Sequence, residues 1–287
     1  MNSDPAEISG TAVALPRSGA RDVAVRVASG IIMALVAGAL LYFGPFSFAC
    51  LVAGVAMLTS IEWTRIVRRV DLDAGLAVQG ATVVIAAILT AFGLAALGIA
   101  AVVAGAILTG LLCFGNRPLL SAEGVLYAGL PVVSLIWLRE DQPHGLTAVL
   151  FILLAVIATD IAAFIFGRMI GGPKLATAVS PNKTWAGFLG GILTAGIVSA
   201  AFGQWIGADP AMLGASGIIL GIVAQLGDLT ESALKRSFGI KDSGTIIPGH
   251  GGIMDRVDGL VFASAAAGFV AFAVNPQSPA TALLFGG

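Results

Sequence analysis

Residues 147–167, TAVLFILLAVIATDIAAFIFG, form one apolar run interrupted by a single acid, Asp160. A helix needs about 20 mostly apolar residues to cross the hydrocarbon core of a bilayer, and this run has that length. Two pairs of such runs are joined by tight hairpins, at Gly44-Pro45 and at Gly93-Leu94. The sequence therefore predicts an all-α, polytopic integral membrane helix bundle of about nine spans, near residues 27–44, 46–63, 76–93, 94–114, 123–138, 147–167, 184–203, 212–228 and 259–275.

The composition also indicates a membrane protein. Of 287 residues, 57% are hydrophobic and only 11% are charged, whereas soluble domains carry about 25% charged residues. A soluble domain this poor in charge could not cover its own surface. The formal net charge of -1 argues against a nucleic-acid partner, which requires a basic face. Cys50 and Cys113 lie in apolar runs, so we expect neither a disulfide nor a zinc site.

Lysine and arginine are distributed very unevenly between the two predicted sides of the membrane. If the N-terminus is cytoplasmic, all but one of the 15 fall on the cytoplasmic side, and the exception is Arg139. Because positive residues are retained in the cytoplasm, we expect the N-terminus inside and the C-terminus outside. We expect a multi-pass protein of a bacterial-type inner membrane, with a flexible tail over 1–24, transmembrane helices over 25–145 and a catalytic region over 146–287.

The polar residues of the catalytic region begin inside the sixth span. A carboxylate near the centre of a membrane costs about 2.5–3.5 kcal/mol on insertion scales. We therefore expect Asp160 to face a partner, a metal or a water-filled cavity.

The loop 168–183 follows that span and is interrupted by glycine and proline, which excludes one continuous helix. Ser180 or Thr184 is expected to cap the seventh span. Arg168, Lys174 and Lys183, with free backbone N–H groups at a helix start, favour an anion site. The retention of positive charge in the cytoplasm explains these cations equally well.

The cytoplasmic loop 229–258 carries most of the remaining charge. The eighth helix is expected to continue past its span, which places Asp228, Ser232 and Lys235 on one face. Asp255 and Asp258 share a face where the ninth span begins. Acids this close repel one another unless a cation lies between them, and carboxylates with substrate phosphates suit Mg²⁺. The pattern indicates phosphoryl or nucleotidyl transfer. The helix dipole favours acids at a helix start but does not explain Asp228 at a helix end.

This loop also carries an extended motif. Ser232-Ala-Leu-Lys235-Arg236 is followed after four residues by Lys241-Asp242, and then by Pro248-Gly-His250-Gly-Gly-Ile-Met-Asp255-Arg256-Val-Asp258. The motif resembles the signature of the phosphatidate cytidylyltransferases, the CDP-diglyceride synthetases. Residues 155–260 carry the resemblance, whereas the first five spans match that family only in being apolar.

The resemblance implies transfer of a cytidylyl group from CTP to phosphatidic acid, giving CDP-diacylglycerol and pyrophosphate. It implies a metal site of Asp228 and Asp255, supported by Asp258, for Mg²⁺ assisted by a monovalent cation such as K⁺. Ser232, Lys235, Arg236 and Arg256 would act in catalysis. Substrate would be bound by Asp160, Arg168, Lys174, Ser180, Lys183, Thr184, Lys241, Asp242, His250, Gly251 and Gly252. Family members are often dimeric, so a homodimer in the lipid bilayer is also expected.

Three positions depart from the usual family pattern. Asn182 replaces a second lysine, Ala186 a glutamate and Phe164 a tyrosine, which affects the entrance of the seventh span. A related CTP-dependent polyprenol or lipid kinase is the alternative enzyme. A cation-coupled transporter with Asp160 and Asp228 on its ion path is an alternative of another class, although the two halves of the chain lack the matched broken helices of an inverted repeat.

Overall fold

A computed structural model of the protein describes residues 20–244 and 251–286, with side chains of the first helix described from Ser29 onward. The N-terminal half contains five helices: α1 (Ala20–Phe43), α2 (Pro45–Arg68), α3 (Ala74–Ala91), α4 (Ala95–Leu112) and α5 (Pro118–Glu140). The C-terminal half contains α6 (Gly145–Met169), β1 (Lys174–Ala176), β2 (Ser180–Thr184), α7 (Trp185–Ile206), α8 (Pro210–Ser237), α9 (Met254–Val274) and α10 (Pro279–Phe285).

The all-α polytopic architecture predicted from sequence is confirmed. In the described residues, the eight helices α2 to α9 are long and apolar enough to span a membrane. The first predicted span, near 27–44, corresponds to α1, whose described apolar portion is Ser29–Phe43. Large apolar side chains such as Leu35, Ile107 and Ile197 are 60–71% exposed, as expected where hydrocarbon and not water surrounds the helices.

Both predicted tight hairpins are present. Gly44 has φ 144° between α1 and α2, and Pro45 occupies the first turn of α2, where its missing N–H is not needed. Gly93 has φ 77° between α3 and α4. Positive φ values of this kind are readily adopted only by glycine, so these residues allow consecutive helices to run antiparallel with almost no loop.

Three features differ from the sequence expectation. The sequence predicted that the loop 168–183 is not one continuous helix, and this is correct. The loop also contains an antiparallel hairpin that was not predicted, in which Lys174 pairs with Thr184. α10 was not predicted, because seven residues are too few to show a helical period; the Asp141 carboxylate accepts hydrogen bonds from the backbone N–H groups of Ala280 and Thr281 at its start. α1 begins at Ala20, inside the predicted tail, and residues 1–19 lie outside the described residues.

The helices form two groups that meet at α9. In the first group α2 and α3 pack with α4 and α5, and in the second α6, α7 and α8 pack together. α9 packs against both α5 and α8. Close packing in the second group depends on small residues: a Cβ at Gly187 would lie 2.7 Å from the Ala163 carbonyl oxygen, and one at Gly191 would lie 2.9 Å from that of Thr159.

Candidate active site

Three carboxylates converge where α8 and α9 cross. One oxygen from each of Asp228, Glu231 and Asp258 lies within 4.8 Å of the other two. Glu231 is only 2% exposed, and its Oε1 atom has no hydrogen-bond partner in the part of the chain that the structure describes. A buried carboxylate oxygen without a donor is costly, so the arrangement fits a cation held between the three acids. We call these residues the acid trio.

Two glycines allow the helices to approach closely enough to form the acid trio. A Cβ at Gly227 would lie 2.6 Å from the Asp258 carbonyl oxygen, and one at Gly259 would lie 3.3 Å from the Ala224 carbonyl oxygen. A side chain at Gly227 would push α8 and α9 apart, and one at Gly259 would make a contact tighter than most side chains make. The glycines adjoin Asp228 and Asp258, so this close helix contact and the acids occupy the same level of the bundle.

A polar cavity of about 620 Å³ borders the acid trio at Asp228. Lys183, on β2, places its Nζ 2.6 Å from Asp228 Oδ2. Asp160 and Arg168 on α6 line the same cavity, and Asp160 lies close enough to Asp228 and Lys183 to interact electrostatically with both. Asp160 was expected to face a partner, a metal or a water-filled cavity, and it lines this cavity.

The second strand of the hairpin, β2, runs directly into α7. Lys183, near the end of β2, therefore lies beside the α7 residues that line the cavity. Thr184 Oγ1 accepts a hydrogen bond from the backbone N–H of Gly187 at 3.1 Å and so caps α7. Of the two predicted caps, Thr184 is thus the one used, while Ser180 pairs with Ala176 in the hairpin. Asn182 and Thr184 also line the cavity.

Lys235 joins the acid trio to Asp255. Its Nζ lies 3.0 Å from Glu231 Oε2 and 2.6 Å from Asp255 Oδ1, and the residue is 8% exposed. Ser232 Oγ is 3.3 Å from Asp228 Oδ1 one turn earlier, which agrees with the predicted shared face. A single cation therefore offsets charge on both α8 and α9 at a place where water is scarce.

Asp255 is enclosed by backbone donors. Its carboxylate accepts hydrogen bonds from the N–H groups of Ser243 and Gly252, each at 3.0 Å. Gly251 has φ 82°, which a non-glycine residue rarely adopts. Asp255 thus fixes the end of the loop next to the acid trio, and its predicted role as a metal ligand stays a prediction.

Glu62, on α2, holds the same loop from the other side. The Glu62 carboxylate is fully buried. It accepts hydrogen bonds from Ser243 Oγ at 3.1 Å, the Ile253 N–H at 2.9 Å and the Met254 N–H at 2.8 Å. A Cβ at Gly252 would lie 2.7 Å from Glu62 Oε1. Glu62 therefore binds the first backbone donors of α9, although it lies nearly 200 residues earlier in the chain.

The remaining predicted residues lie around this centre. Arg236 is exposed and donates hydrogen bonds to the carbonyls of Val179, at 3.4 Å, and Ile240, at 3.1 Å, so it ties the end of α8 to the hairpin. His250 lies outside the described residues. Four further predicted residues are exposed: Lys174 on β1, Lys241 and Asp242 after α8, and Arg256 in the first turn of α9.

Sequence reasoning missed two carboxylates of this site. Glu231 lies three residues after Asp228, a spacing that places both on one helix face, so the helical pattern could have identified it. Glu62 gave no comparable signal, because its partners are close only in the folded chain.

The fold and the site define a polytopic membrane protein with an acidic, cation-bordered centre at one end of its C-terminal helices. The sequence profile of the Cytidylyltransferase family matches residues 24–274. The chain belongs to this family.

Curated relatives are similar to part of the chain. A phosphatidate cytidylyltransferase of Brucella suis is 49% identical over 152 residues, which cover 50% of this chain and 54% of that protein. One of Staphylococcus saprophyticus is 44% identical over 140 residues, covering 48% and 53%, and one of Staphylococcus aureus is 43% identical over 146 residues with the same coverage. The chain thus spans about half the length of the curated relatives it matches.

Replacement of Glu62 by glutamine tests whether this residue holds the loop. Glutamine has one acceptor oxygen, so its NH₂ group would face donors that now contact the second carboxylate oxygen. Each hydrogen bond to a charged group contributes about 1.5–3 kcal/mol. We expect Glu62→Gln to increase amide hydrogen exchange roughly tenfold or more at Ile253 and Met254, whose N–H groups donate to Glu62.

The matched control is Glu123→Gln on α5, since Glu123 is an exposed acid. Exchange at the loop should be unchanged in this control. Unchanged exchange in Glu62→Gln as well would contradict the assigned role.

Proposed function

We propose that this protein transfers a cytidylyl group from CTP to phosphatidic acid, forming CDP-diacylglycerol and pyrophosphate. Membership of the Cytidylyltransferase family and the names of the curated relatives support this activity. The observation that carries the proposal is the acid trio, which borders a polar cavity lined by Lys183 and Arg168. Such a cavity suits a polyanionic nucleotide, because cations and metal-binding acids lie together at its wall.

In the proposed reaction a phosphate oxygen of the lipid attacks the α-phosphorus of CTP. A new P–O bond forms, the bond from the α-phosphorus to the bridging oxygen of the β-phosphate breaks, and pyrophosphate leaves with that electron pair. The lipid phosphate is already an anion near pH 7, so no strong general base is required. Lys183 and Arg168 would bind phosphate oxygens and orient the two anions toward each other.

We further propose that Asp228, Glu231 and Asp258 bind Mg²⁺. Oxygen ligands and a few carboxylates are what this ion prefers, and the Glu231 oxygen without a donor fits such a ligand. A divalent ion bound there would neutralise charge on the transferring phosphates. A monovalent cation such as K⁺ and a homodimer stay predictions from the family resemblance.

CTP labelled at one phosphate at a time tests the activity on the purified protein. We expect label from the α-phosphate in a chloroform-soluble product and label from the γ-phosphate in pyrophosphate. Asp228→Asn and Glu231→Gln should each lower the rate by roughly 100-fold or more, because charge neutralisation in the transition state is lost. Each variant should also require a higher Mg²⁺ concentration, measured by titrating the ion.

The control is Asp71→Asn, since this carboxylate is 86% exposed and forms a surface ion pair with Arg65. Transfer of the γ-label to lipid would instead identify a lipid kinase, and absence of any lipid product would contradict enzymatic transfer.

Replacement of Lys235 tests whether this residue is needed to bridge Glu231 and Asp255 or only to supply a positive charge. Lys235→Ala would leave Glu231 and Asp255 without their shared cation, and breaking a buried ion pair typically costs about 3–5 kcal/mol. Arginine is longer and planar, so it cannot place one nitrogen between the two carboxylates as lysine does. We expect both variants to lower the transfer rate by orders of magnitude and to lower the melting temperature.

Arg65→Ala serves as the control for a generic cation, because Arg65 is half-exposed and forms a surface ion pair. Recovery of most of the activity in Lys235→Arg would show that any positive charge suffices there.

We also propose that the site faces the cytoplasm. The charges that support this orientation lie at one end of the bundle, including Arg65, Arg117 and Arg168, whereas the buried Arg139 lies at the other end, where its side chain donates hydrogen bonds to the Leu41 carbonyl. Single cysteines in a background without Cys50 and Cys113 test this. An impermeant thiol reagent should label Asn116→Cys only in opened cells and Gln277→Cys in intact cells; the reverse pattern would invert the topology.

A further inference from the structure

An apolar groove of about 360 Å³ lies between α1, α2, α5, α6 and α9. It follows α2 from Phe48 to Thr59, a rise of about 16 Å along the helix. Almost all of its lining is aliphatic or aromatic, including Leu41, Leu135 and Leu153. The polar cavity beside Asp228 does not share these residues, so the two spaces are chemically distinct.

The groove leads toward the acid trio along two helices. On α6 the groove residues Leu153 and Ile157 are followed, at spacings that keep one helix face, by Asp160 and Phe164 of the polar cavity. On α9 the groove residues Val257 and Val261 lie on either side of Asp258. An apolar chain in the groove would therefore end at the level of the acids.

Two buried hydroxyl groups mark that end of the groove. Thr59 is 2% exposed and Tyr127 is 9% exposed, and both line the groove. Neither hydroxyl oxygen has a hydrogen-bond partner within the described residues. Tyr127 also lies close enough to the carboxylates of the acid trio to interact with them electrostatically. Buried hydroxyl groups are normally paired, so these two point to a ligand that is polar at the end of an apolar tail.

We propose that the groove binds one acyl chain of the acceptor lipid, with the ester end of that chain at Thr59 and Tyr127. The proposal rests on the proposed transfer to phosphatidic acid and adds the place where that lipid lies. The Tyr127 and Thr59 hydroxyls would donate hydrogen bonds to the ester oxygens. The lipid phosphate would then lie next to Asp258, between the groove and the polar cavity that holds the nucleotide.

The bilayer limits what the groove contributes. Lipid tails are as apolar as the groove itself, so no hydrophobic transfer drives the chain into it. Binding must come from packing, from the hydroxyl groups and from the phosphate. The groove therefore acts chiefly by position: it fixes the chain so that the phosphate meets the α-phosphorus of the nucleotide.

Filling the groove tests the proposal. Gly38 lines it, and a Cβ added at Gly38 would meet no atom within 4 Å, so Gly38→Phe places a ring in the groove without a clash at the backbone. We expect KM for long-chain phosphatidic acid to rise roughly tenfold, with KM for CTP unchanged. A short-chain, dihexanoyl acceptor reaches less of the groove and should be affected less.

The matched control is Gly54→Phe, on α2. A Cβ at Gly54 also meets nothing within 4 Å, but this exposed residue does not line the groove. Tyr127→Phe tests the polar end: it should raise KM for the lipid about fivefold, the scale of one lost hydrogen bond, and leave KM for CTP unchanged. Equal behaviour of Gly38→Phe and Gly54→Phe would overturn the proposal.

A second measurement does not depend on turnover. Phosphatidic acid with a diazirine at the end of one acyl chain should crosslink to peptides containing Leu41, Phe48 or Leu135. Unlabelled phosphatidic acid should compete and phosphatidylcholine should not; Gly38→Phe should reduce the crosslink. Equal competition by phosphatidylcholine would assign the groove to bulk lipid. A changed oligomeric state of Gly38→Phe without a change in KM would assign it to a second copy of the chain, and either result overturns the proposal.

Loss of the proposed function would be recognised separately. If the wild-type protein moved no label from CTP to any lipid, the proposed cytidylyl transfer would be contradicted. The crosslinking experiment alone would then decide whether the groove binds phosphatidic acid.

Discussion

The repulsion among Asp228, Glu231 and Asp258 is the constraint that shapes the C-terminal half of the molecule. Two unit charges about 4 Å apart repel by about 4 kcal/mol at an effective dielectric constant of about 20, and here three carboxylates lie within 4.8 Å of one another. The described structure surrounds them with two close cations. Lys183 approaches from the hairpin, and Lys235 approaches from the last turns of α8. The three carboxylates are arranged so that they could hold a further cation.

This charge balance explains several features that otherwise look unrelated. The hairpin between α6 and α7 places Lys183, on β2, where its Nζ reaches the Asp228 carboxylate. α8 extends beyond the apolar part of its span, and this extension places Glu231 and Lys235 near Asp228. Gly227 and Gly259 allow the helix crossing that brings Asp258 to the same place. Each of these local structures either brings a charged side chain to the acid trio or allows the helices around it to approach closely.

The sequence predicted the parts of the molecule that depend on local pattern. Apolar runs gave the spans, the two glycine hairpins gave the abrupt connections, and helical spacing placed Asp228, Ser232 and Lys235 on one face. It could not predict contacts between distant segments. Glu62 binds the start of α9 across more than 180 residues, and nothing near Glu62 indicates such a partner. Helical spacing places Glu231 on the face of Asp228, but which acid of α9 meets this pair depends on how α8 and α9 cross, and helical spacing does not specify that crossing.

The position of Glu62 also gives the N-terminal helices a part in the site. These helices carry little polar chemistry, and their sequence alone suggests only packing. Yet α2 supplies the buried carboxylate that holds the loop beside Asp255, and the same helix, three residues earlier, presents the Thr59 hydroxyl to the apolar groove. Hydrogen bonds from the start of α9 hold this end of α2 and so keep one wall of the groove in register with the acid trio. The apolar groove and the polar cavity share α6 as a wall, whereas α2 lines only the groove, so the proposed lipid and nucleotide would approach the acid trio from separate spaces.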